Sequence, residues 1–276
     1  MDYFDDPMKK TLSILTFCLL SSLCFGSIAL VQSNHAGSNS GSVGPGGTLT
    51  ATGGFTNNTV TGHLIVLIFY AKVSPSSVSI GNSGLTSVSG GYSGTIVPCL
   101  GAASTAGGIT TLSQIRFLDN APAMSTSQLP SVTVSNPSGT DSGTFDVEFE
   151  LYEFSGIANP LVAEMDPDAD LSGIEVSGSG GTTPSATVTT TLNTNLILMT
   201  MTAPAGSAVT AGSGFTLGIA ASSAQNGQFQ YRMNAPPGIS SVSFGSSETV
   251  AWDLTGIAFK AAPAAPMIAR HRGSLF

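Results

Sequence analysis

Apolar and polar residues alternate most clearly over residues 143–154, which read GTFDVEFELYEF. A strand turns successive side chains to opposite faces, whereas a helix would spread both sets around its circumference. The segment therefore predicts a β-strand with an apolar face covered by a second layer and a solvent-exposed row of carboxylates. The apolar face comprises Phe145, Val147, Phe149 and Leu151, and the exposed row comprises Asp146, Glu148 and Glu150. On this register, removing the Glu148 carboxylate should change stability by no more than about 0.5 kcal/mol.

The remaining apolar segments also favour strands. Residues 63–72 (HLIVLIFYAK) form a near-continuous apolar run bounded by turn residues, which is typical of a strand buried on both faces. Residues 109–118, 195–202 and 250–260 are further predicted strands, and residues 28–33 are a short one followed by an Asn/Gly/Ser-rich loop over residues 34–47. No segment sustains the spacing of apolar residues that is typical of a helix. The second half of the chain again has a succession of predicted strands, but it does not repeat the sequence of the first half.

These elements predict an all-β fold, a single antiparallel, jelly-roll-like β-sandwich over residues 27–261. The following residues, 262–276, are rich in Ala and Pro and are predicted to be a flexible tail. The chain of 276 residues is 41% hydrophobic, which is enough for a sizeable core. Only 9% of its residues are charged, so Ser, Thr, Asn and Gly must keep it soluble.

The net charge of −8 argues against nucleic acid as a partner, because phosphate binding requires a surplus of Lys and Arg. The acidic residues are unevenly placed. Residues 27–118 contain none, whereas ten lie between Asp141 and Glu175.

The N-terminus has the layout of a secretory signal peptide over residues 1–26. Lys9 and Lys10 precede an apolar run over residues 12–25, and small residues follow at Gly26, Ser27 and Ala29. We expect cleavage after Gly26, with Ala29 as the alternative, and no stable membrane insertion afterwards, because the apolar run is short for a transmembrane helix. The mature chain then keeps only Cys99, which allows no intramolecular disulfide and is predicted to be a small buried side chain.

Several short motifs follow one another along the mature chain. They are ALVQS at residues 29–33, GHLIV at 62–66, QIRF at 114–117, YEFSG at 152–156, TAGSGF at 210–215, QFQY at 228–231 and the closing stretch over 251–260. This set resembles a widespread bacterial and phage-associated family of secreted β-sandwich domains of unknown function. The resemblance implies a jelly-roll-like sandwich in a surface or extracellular protein. The chain departs from the family at His63, where Asn is usual, and in its longer, more acidic connection after Pro160.

Motifs that would indicate an enzyme are missing from the sequence. It contains no Gly-x-Ser-x-Gly elbow, no phosphate-binding loop, no Cys-x-x-Cys pair and no His-Glu-x-x-His. His35, His63 and His271 are far apart in the chain and are predicted to be structural or solvated. Glu148 and Glu150 lie about 7 Å apart along one strand face, within range for a glycosidase pair, but a solvated strand face produces the same spacing. The chain is therefore predicted not to be an enzyme.

One acidic loop has the residue types of a calcium site. Asp166, Asp168, Asp170 and Glu175 supply carboxylates at spacings that can wrap a cation. The loop lacks the turn glycine and final glutamate of an EF-hand, so the predicted site is weak, with a dissociation constant of about 10⁻⁴ to 10⁻³ M. No other cofactor is predicted.

The sequence is thus typical of a secreted, non-catalytic structural or adhesive protein at the cell surface or outside the cell. The partner would be an extracellular polysaccharide or another surface protein. The alternative is a jelly-roll carbohydrate-binding module, which would need aromatic side chains exposed on a concave face. The candidates for that face are Tyr70, Tyr92, Tyr152, Tyr231 and Trp252.

Overall fold

The structure is a computed structural model that describes residues 26–78, 80, 85–89, 97–106, 108–158, 176–178, 183–190, 195–202, 209–219, 227–246 and 252–263. Every regular element in these ranges is a β-strand, so the predicted all-β fold is confirmed. The strands of the first half are β1 (Ala29–Val43), β2 (Thr48–Thr52), β3 (His63–Ser74), β4 (Leu85–Ser89), β5 (Val97–Ala106), β6 (Ile109–Ala121), β7 (Ser131–Ser135) and β8 (Gly143–Ser155). Those of the second half are β9 (Val176–Gly178), β10 (Ser185–Thr190), β11 (Asn195–Thr202), β12 (Val209–Ala211), β13 (Thr216–Leu217), β14 (Gly227–Ala235), β15 (Gly238–Ser246) and β16 (Trp252–Lys260).

No helix long and apolar enough to cross a membrane occurs among the described residues.

The described strands form four antiparallel sheets. A five-stranded sheet, β1-β8-β3-β6-β5, is the first inner sheet, and β2-β7-β4 is the first outer sheet. The second inner sheet is β13-β14-β11-β16-β9, and β10-β15-β12 is the second outer sheet. Pairing of the first strand with the eighth, the second with the seventh and the third with the sixth is a jelly-roll arrangement. Each inner sheet with its outer sheet makes one sandwich.

The two halves have the same topology. Adding eight to each strand number of the first half reproduces both strand orders of the second half. The match extends to single residues at the start of equivalent strands, where His63 lies opposite Ala121 and Asn195 lies opposite Ala235. The residues before these alanines, Asn120 and Asn234, both have positive φ, of 46° and 55°. The chain is therefore an internally duplicated sandwich. The succession of predicted strands in the second half of the sequence indicated a repeat, but it did not define the equivalent strands.

Among the described residues, three apolar cores hold the four sheets together. The first core lies between the first inner and first outer sheets, and the second core lies between the second inner and second outer sheets. The central core joins the two inner sheets face to face. It contains Leu64, Phe154 and Phe117 from the first sheet, and Leu196, Phe229 and Phe259 from the second. Because β3 and β8 contribute to two cores, both of their faces are buried, as the sequence predicted for residues 63–72.

The loop predicted over residues 34–47 is wrong for residues 34–43, because β1 continues as a strand to Val43, and a turn follows over residues 44–47. It pairs with β8 along its whole length, with two register shifts. Its polar side chains cover the neighbouring segment instead of packing in a core: Asn34 Nδ2 and Asn39 Nδ2 donate to the carbonyls of Gly54 and Thr50, at 2.5 and 2.7 Å. An edge strand with one long partner does not require an apolar face, and this explains why hydrophobic alternation did not reveal it.

The beginning, middle and end of the described chain meet at one edge of the central core. Ile28 is buried, and its backbone N–H and C=O both bond the side chain of Asn234, at 3.0 and 3.1 Å. A bridge between Ile157 and Ala261 links the end of the first half to the end of the second. These contacts tie the two sandwiches together in addition to the central core.

Replacing Phe149 by Ala should lower the free energy of unfolding by about 3–5 kcal/mol, because its ring is fully buried in the first core and its loss leaves a cavity. Chemical denaturation monitored by circular dichroism measures the change. Leu129→Ala, at an exposed position, is the control and should change stability by no more than about 0.5 kcal/mol. Equal loss in both variants would contradict the register of β8.

Candidate functional site: the buried carboxylates of the eighth strand

The prediction that the carboxylate row of β8 faces solvent is wrong for two of its three residues. Glu148 and Glu150 have no solvent exposure, and only Asp146 is half-buried, where it pairs with Lys72 at 3.3 Å. The physical reason is the second inner sheet, which covers the same face of β8. A strand between two sheets has no wet face, and its polar residues must find internal partners.

Glu148 is paired with a histidine from the edge strand. His35 on β1 places Nε2 2.6 Å from Glu148 Oε1, and 38% of the His35 side chain is exposed. The imidazole therefore lies between the buried carboxylate and solvent. β1 reaches this position only because it remains a strand beyond residue 33.

Glu150 is the second buried carboxylate and is linked to the opposite sheet. Tyr152 Oη donates to Glu150 Oε2 at 2.5 Å and accepts a hydrogen bond from the backbone N–H of Ile219 at 2.7 Å. Burial raises the pKa of Glu150 to about 8; repulsion from Glu148 adds to the rise, and the Tyr152 hydrogen bond opposes it. Glu150 therefore holds a proton near neutral pH. Burial also raises the pKa of Tyr152 far above its usual range, so Tyr152 remains the donor.

Tyr70 completes the polar end of the central core. It lies opposite Glu148 across the β3–β8 pair and is fully buried, and burial raises its pKa, with a further contribution from Glu150. Thr200 lies beside it, but the Thr200 hydroxyl donates to the Gln228 carbonyl at 3.2 Å. Tyr70 fits against Gly227 only because glycine has no side chain: a Cβ there would lie 2.2 Å from the Tyr70 ring.

Glu153 forms a separate site on the opposite face of β8. Its Oε1 accepts from the Val60 backbone N–H at 2.8 Å and contacts His63 Nδ1 at 2.7 Å, and its Oε2 accepts from Gln32 Nε2 at 2.6 Å. The carboxylate thus ties β1 and the turn before β3 to β8. His63 and His35 are both structural partners of buried glutamates, which the sequence separation concealed.

Glu148 and Glu150 are out of reach of a substrate outside the fold in this arrangement. Glu148 and Glu150 are fully enclosed, and general acid or base catalysis requires contact with the reacting group. The neighbour within bonding reach of His35 Nε2 is Glu148, so that nitrogen is not available to activate a nucleophile. The geometry favours a role in holding the sheets together over glycoside hydrolysis.

The aromatic platform suggested for sugar binding is not formed by the tyrosines of the described residues. Tyr70, Tyr152 and Tyr231 are at most 7% exposed and belong to the central core. Tyr152 and Tyr231 pack against Phe229, with ring centroids 4.8 and 5.9 Å apart. Trp252 is half-buried against the second core. Alternation directs the three tyrosine rings into the layer between the two inner sheets.

The candidate calcium ligands Asp166, Asp168, Asp170 and Glu175 lie outside the described residues, as do Tyr92 and His271. The calcium site therefore stays a prediction. Cys99 lies in β5. Among the described residues, no group of three or more His, Cys, Asp or Glu side chains could hold a metal ion.

One sequence signal could have revealed the buried face. The positions after Glu150 on the same face are Tyr152 and Phe154, so the supposedly wet row becomes apolar within one strand. A strand whose second face begins with carboxylates and ends with aromatic residues can lie in a layer between two sheets that is polar at one end.

No protein-family model matches the chain, and no curated protein matches it either.

The stability of the wild type should fall by roughly 1 kcal/mol per pH unit, relative to Glu150→Gln, as the pH rises from 4.5 to about 8. Burial raises the folded-state pKa above its ordinary value of 4.5, so in this window the folded protein holds a proton that the unfolded chain has released. Urea denaturation of both proteins across the window measures the difference. A constant difference between them would show that Glu150 titrates normally.

Replacing Glu153 by Ala should destabilise the protein by about 1.5–3 kcal/mol, because the buried carboxylate accepts hydrogen bonds from two other segments. Hydrogen exchange at the Val60 N–H should accelerate more than exchange in β11, since that amide loses its acceptor directly. Asp141→Ala, at an exposed position, is the matched control. Unchanged protection at Val60 would contradict the tethering role.

Proposed function

We propose that the protein is an exported, non-catalytic structural or adhesive component of the cell surface or extracellular space. The observation that carries the proposal is the enclosure of the reactive side chains that the structure describes on β3 and β8. Glu148, Glu150, Tyr70 and Tyr152 are enclosed between the two inner sheets, where they serve the packing of one sandwich on the other. We therefore assign the function to the outer surface.

The outer surface supports this proposal through its uncharged hydroxyl groups. Thr50 and Thr133 on the first outer sheet share a hydrogen bond of 2.9 Å between their hydroxyls, and Thr52 and Ser131 do the same. Exposed side chains at alternate positions of β10 are also Ser and Thr. Flat faces of short polar side chains remain hydrated without strong charge, which suits a protein that is 9% charged.

Export is part of the proposal, and the burial of Ile28 bears on where the signal would be removed. Cleavage after Gly26 leaves Ile28 in the central core with both of its bonds to Asn234. Cleavage after Ala29 would remove a fully buried side chain and leave Asn234 without these two partners. The packing therefore favours Gly26.

The carbohydrate-binding alternative is less well supported, because three of its five aromatic candidates are in the core. Polysaccharide recognition by this chain would have to use the hydroxyl faces. A glycan array on the purified protein distinguishes this alternative from a structural role.

Fractionation of cells producing the full chain tests the proposal. We expect the protein in the surface or extracellular fraction, sensitive to protease added outside intact cells, with an N-terminus at Ser27. The variant Lys9→Glu/Lys10→Glu should remain inside as precursor, because the signal needs its positive charges. Glu148→Gln, provided that it folds, should be exported and retained at the surface like the wild type. Full-length cytoplasmic protein, or surface retention lost with Glu148→Gln, would overturn the proposal.

A further inference from the structure

Four buried oxygen atoms at the polar end of the central core have no hydrogen-bond partner among the described residues. These atoms, here called the hydroxyl cluster, are Tyr70 Oη, Ser113 Oγ, Glu150 Oε1 and Thr202 Oγ1. All four side chains are fully buried. A buried polar atom without a partner costs free energy, and folded proteins satisfy nearly all such atoms with protein groups or ordered water. Four of them in one region therefore point to a bound ligand.

Strand pairing brings three of these side chains together. Tyr70 on β3 lies directly opposite Ser113 on β6, and side chains at opposite positions are close neighbours on one face of a sheet. In the second inner sheet, Thr202 on β11 lies opposite Gly227 on β14 and shares the face of Leu198, which belongs to the central core. The Tyr70 ring occupies the space that a side chain at Gly227 would need. Tyr70 and Thr202 therefore meet across the layer between the two inner sheets.

Glu150 is the fourth member of the hydroxyl cluster. Its electrostatic effect on the pKa of Tyr70 is larger than that of Glu148, although Glu148 is the residue directly opposite Tyr70. The carboxyl of Glu150 and the Tyr70 hydroxyl are therefore close to one another, yet they form no direct hydrogen bond. A gap of this kind between two polar groups is typically bridged by water.

The protons of the hydroxyl cluster determine which ligand it can hold. Tyr152 already donates to Glu150 Oε2, so the proton that Glu150 holds near neutral pH belongs on Oε1. Tyr70, Ser113 and Thr202 each contribute a hydroxyl proton as well. Four O–H groups need lone pairs as acceptors, which a cation lacks and water supplies. Water also donates two protons in return, which the hydroxyl oxygens can accept.

We propose that the polar end of the central core is a water-binding site, in which ordered water bridges Tyr70 and Glu150 of the first inner sheet to Thr202 of the second. Ser113 completes the site from β6. Part of the contact between the two sandwiches is then mediated by water instead of direct packing. The site goes beyond the proposed function, and its test does not depend on export.

Magnetic relaxation dispersion of the solvent tests the site, because it detects water molecules that remain inside a protein. We expect a smaller internal-water signal from Tyr70→Phe than from the wild type, since the variant lacks one partner of the water. Thr202→Val, which removes a hydroxyl and keeps the branched shape, should reduce the signal in the same way. Tyr231→Phe is the matched control, because it removes the same atom from a tyrosine of the same core outside the hydroxyl cluster, and it should give the wild-type signal.

Thermal unfolding gives a second readout, in which the sign of the change matters. A buried hydroxyl without a partner destabilises the folded protein, so its removal would raise Tm, whereas removal of a hydroxyl that is bonded to water should lower Tm. We expect a lower Tm for both Tyr70→Phe and Thr202→Val. An internal-water signal that is equal in the wild type and Tyr70→Phe, or a Tm that falls in neither variant, would overturn the proposal. A Tm that is higher in sodium or potassium chloride than in choline chloride, for the wild type but not for Glu150→Gln, would also overturn it, because the ligand would then be a cation.

Discussion

Face-to-face packing of the two inner sheets is the interaction on which the rest of the structure depends. Each of the two sandwiches has its own core between its inner and outer sheets. Each inner sheet also has apolar residues on its other face, and these form the central core. Phe117 and Phe259 meet across this layer with ring centroids 5.0 Å apart, edge to face. Exposing such a surface to water would be strongly unfavourable, so the duplicated sandwiches need one another.

The central core is not apolar throughout, and its polar end explains the unusual chemistry of β8. Glu148 and Glu150 lie where the layer meets the edge strand β1 and the segment before β14. The two buried groups are stabilised differently. Glu148 pairs with His35, whereas Glu150 accepts a hydrogen bond from Tyr152 and holds a proton. Buried ionisable groups of this kind are found at active sites and in structural networks alike, and here both glutamates are fully enclosed.

Duplication also relates the two ends of the stack, because the second outer sheet has the same strand order as the first. The first outer sheet is protected at one edge, since β1 is long enough to send side-chain amides over β2 and the residues after it.

Local pattern determined the strands, because period-two alternation depends on neighbouring residues alone. The strands at residues 63–72 and 143–154, the inward side of Phe149 and the absence of helices among the described residues could all be read in this way. Tertiary structure alone decided whether the carboxylate face of β8 would be wet, since the sheet that covers it comes from the second half of the chain. It also decided that the polar segment after Ser33 is a strand and that His35 and His63 meet Glu148 and Glu153, because both depend on pairing between residues far apart in sequence.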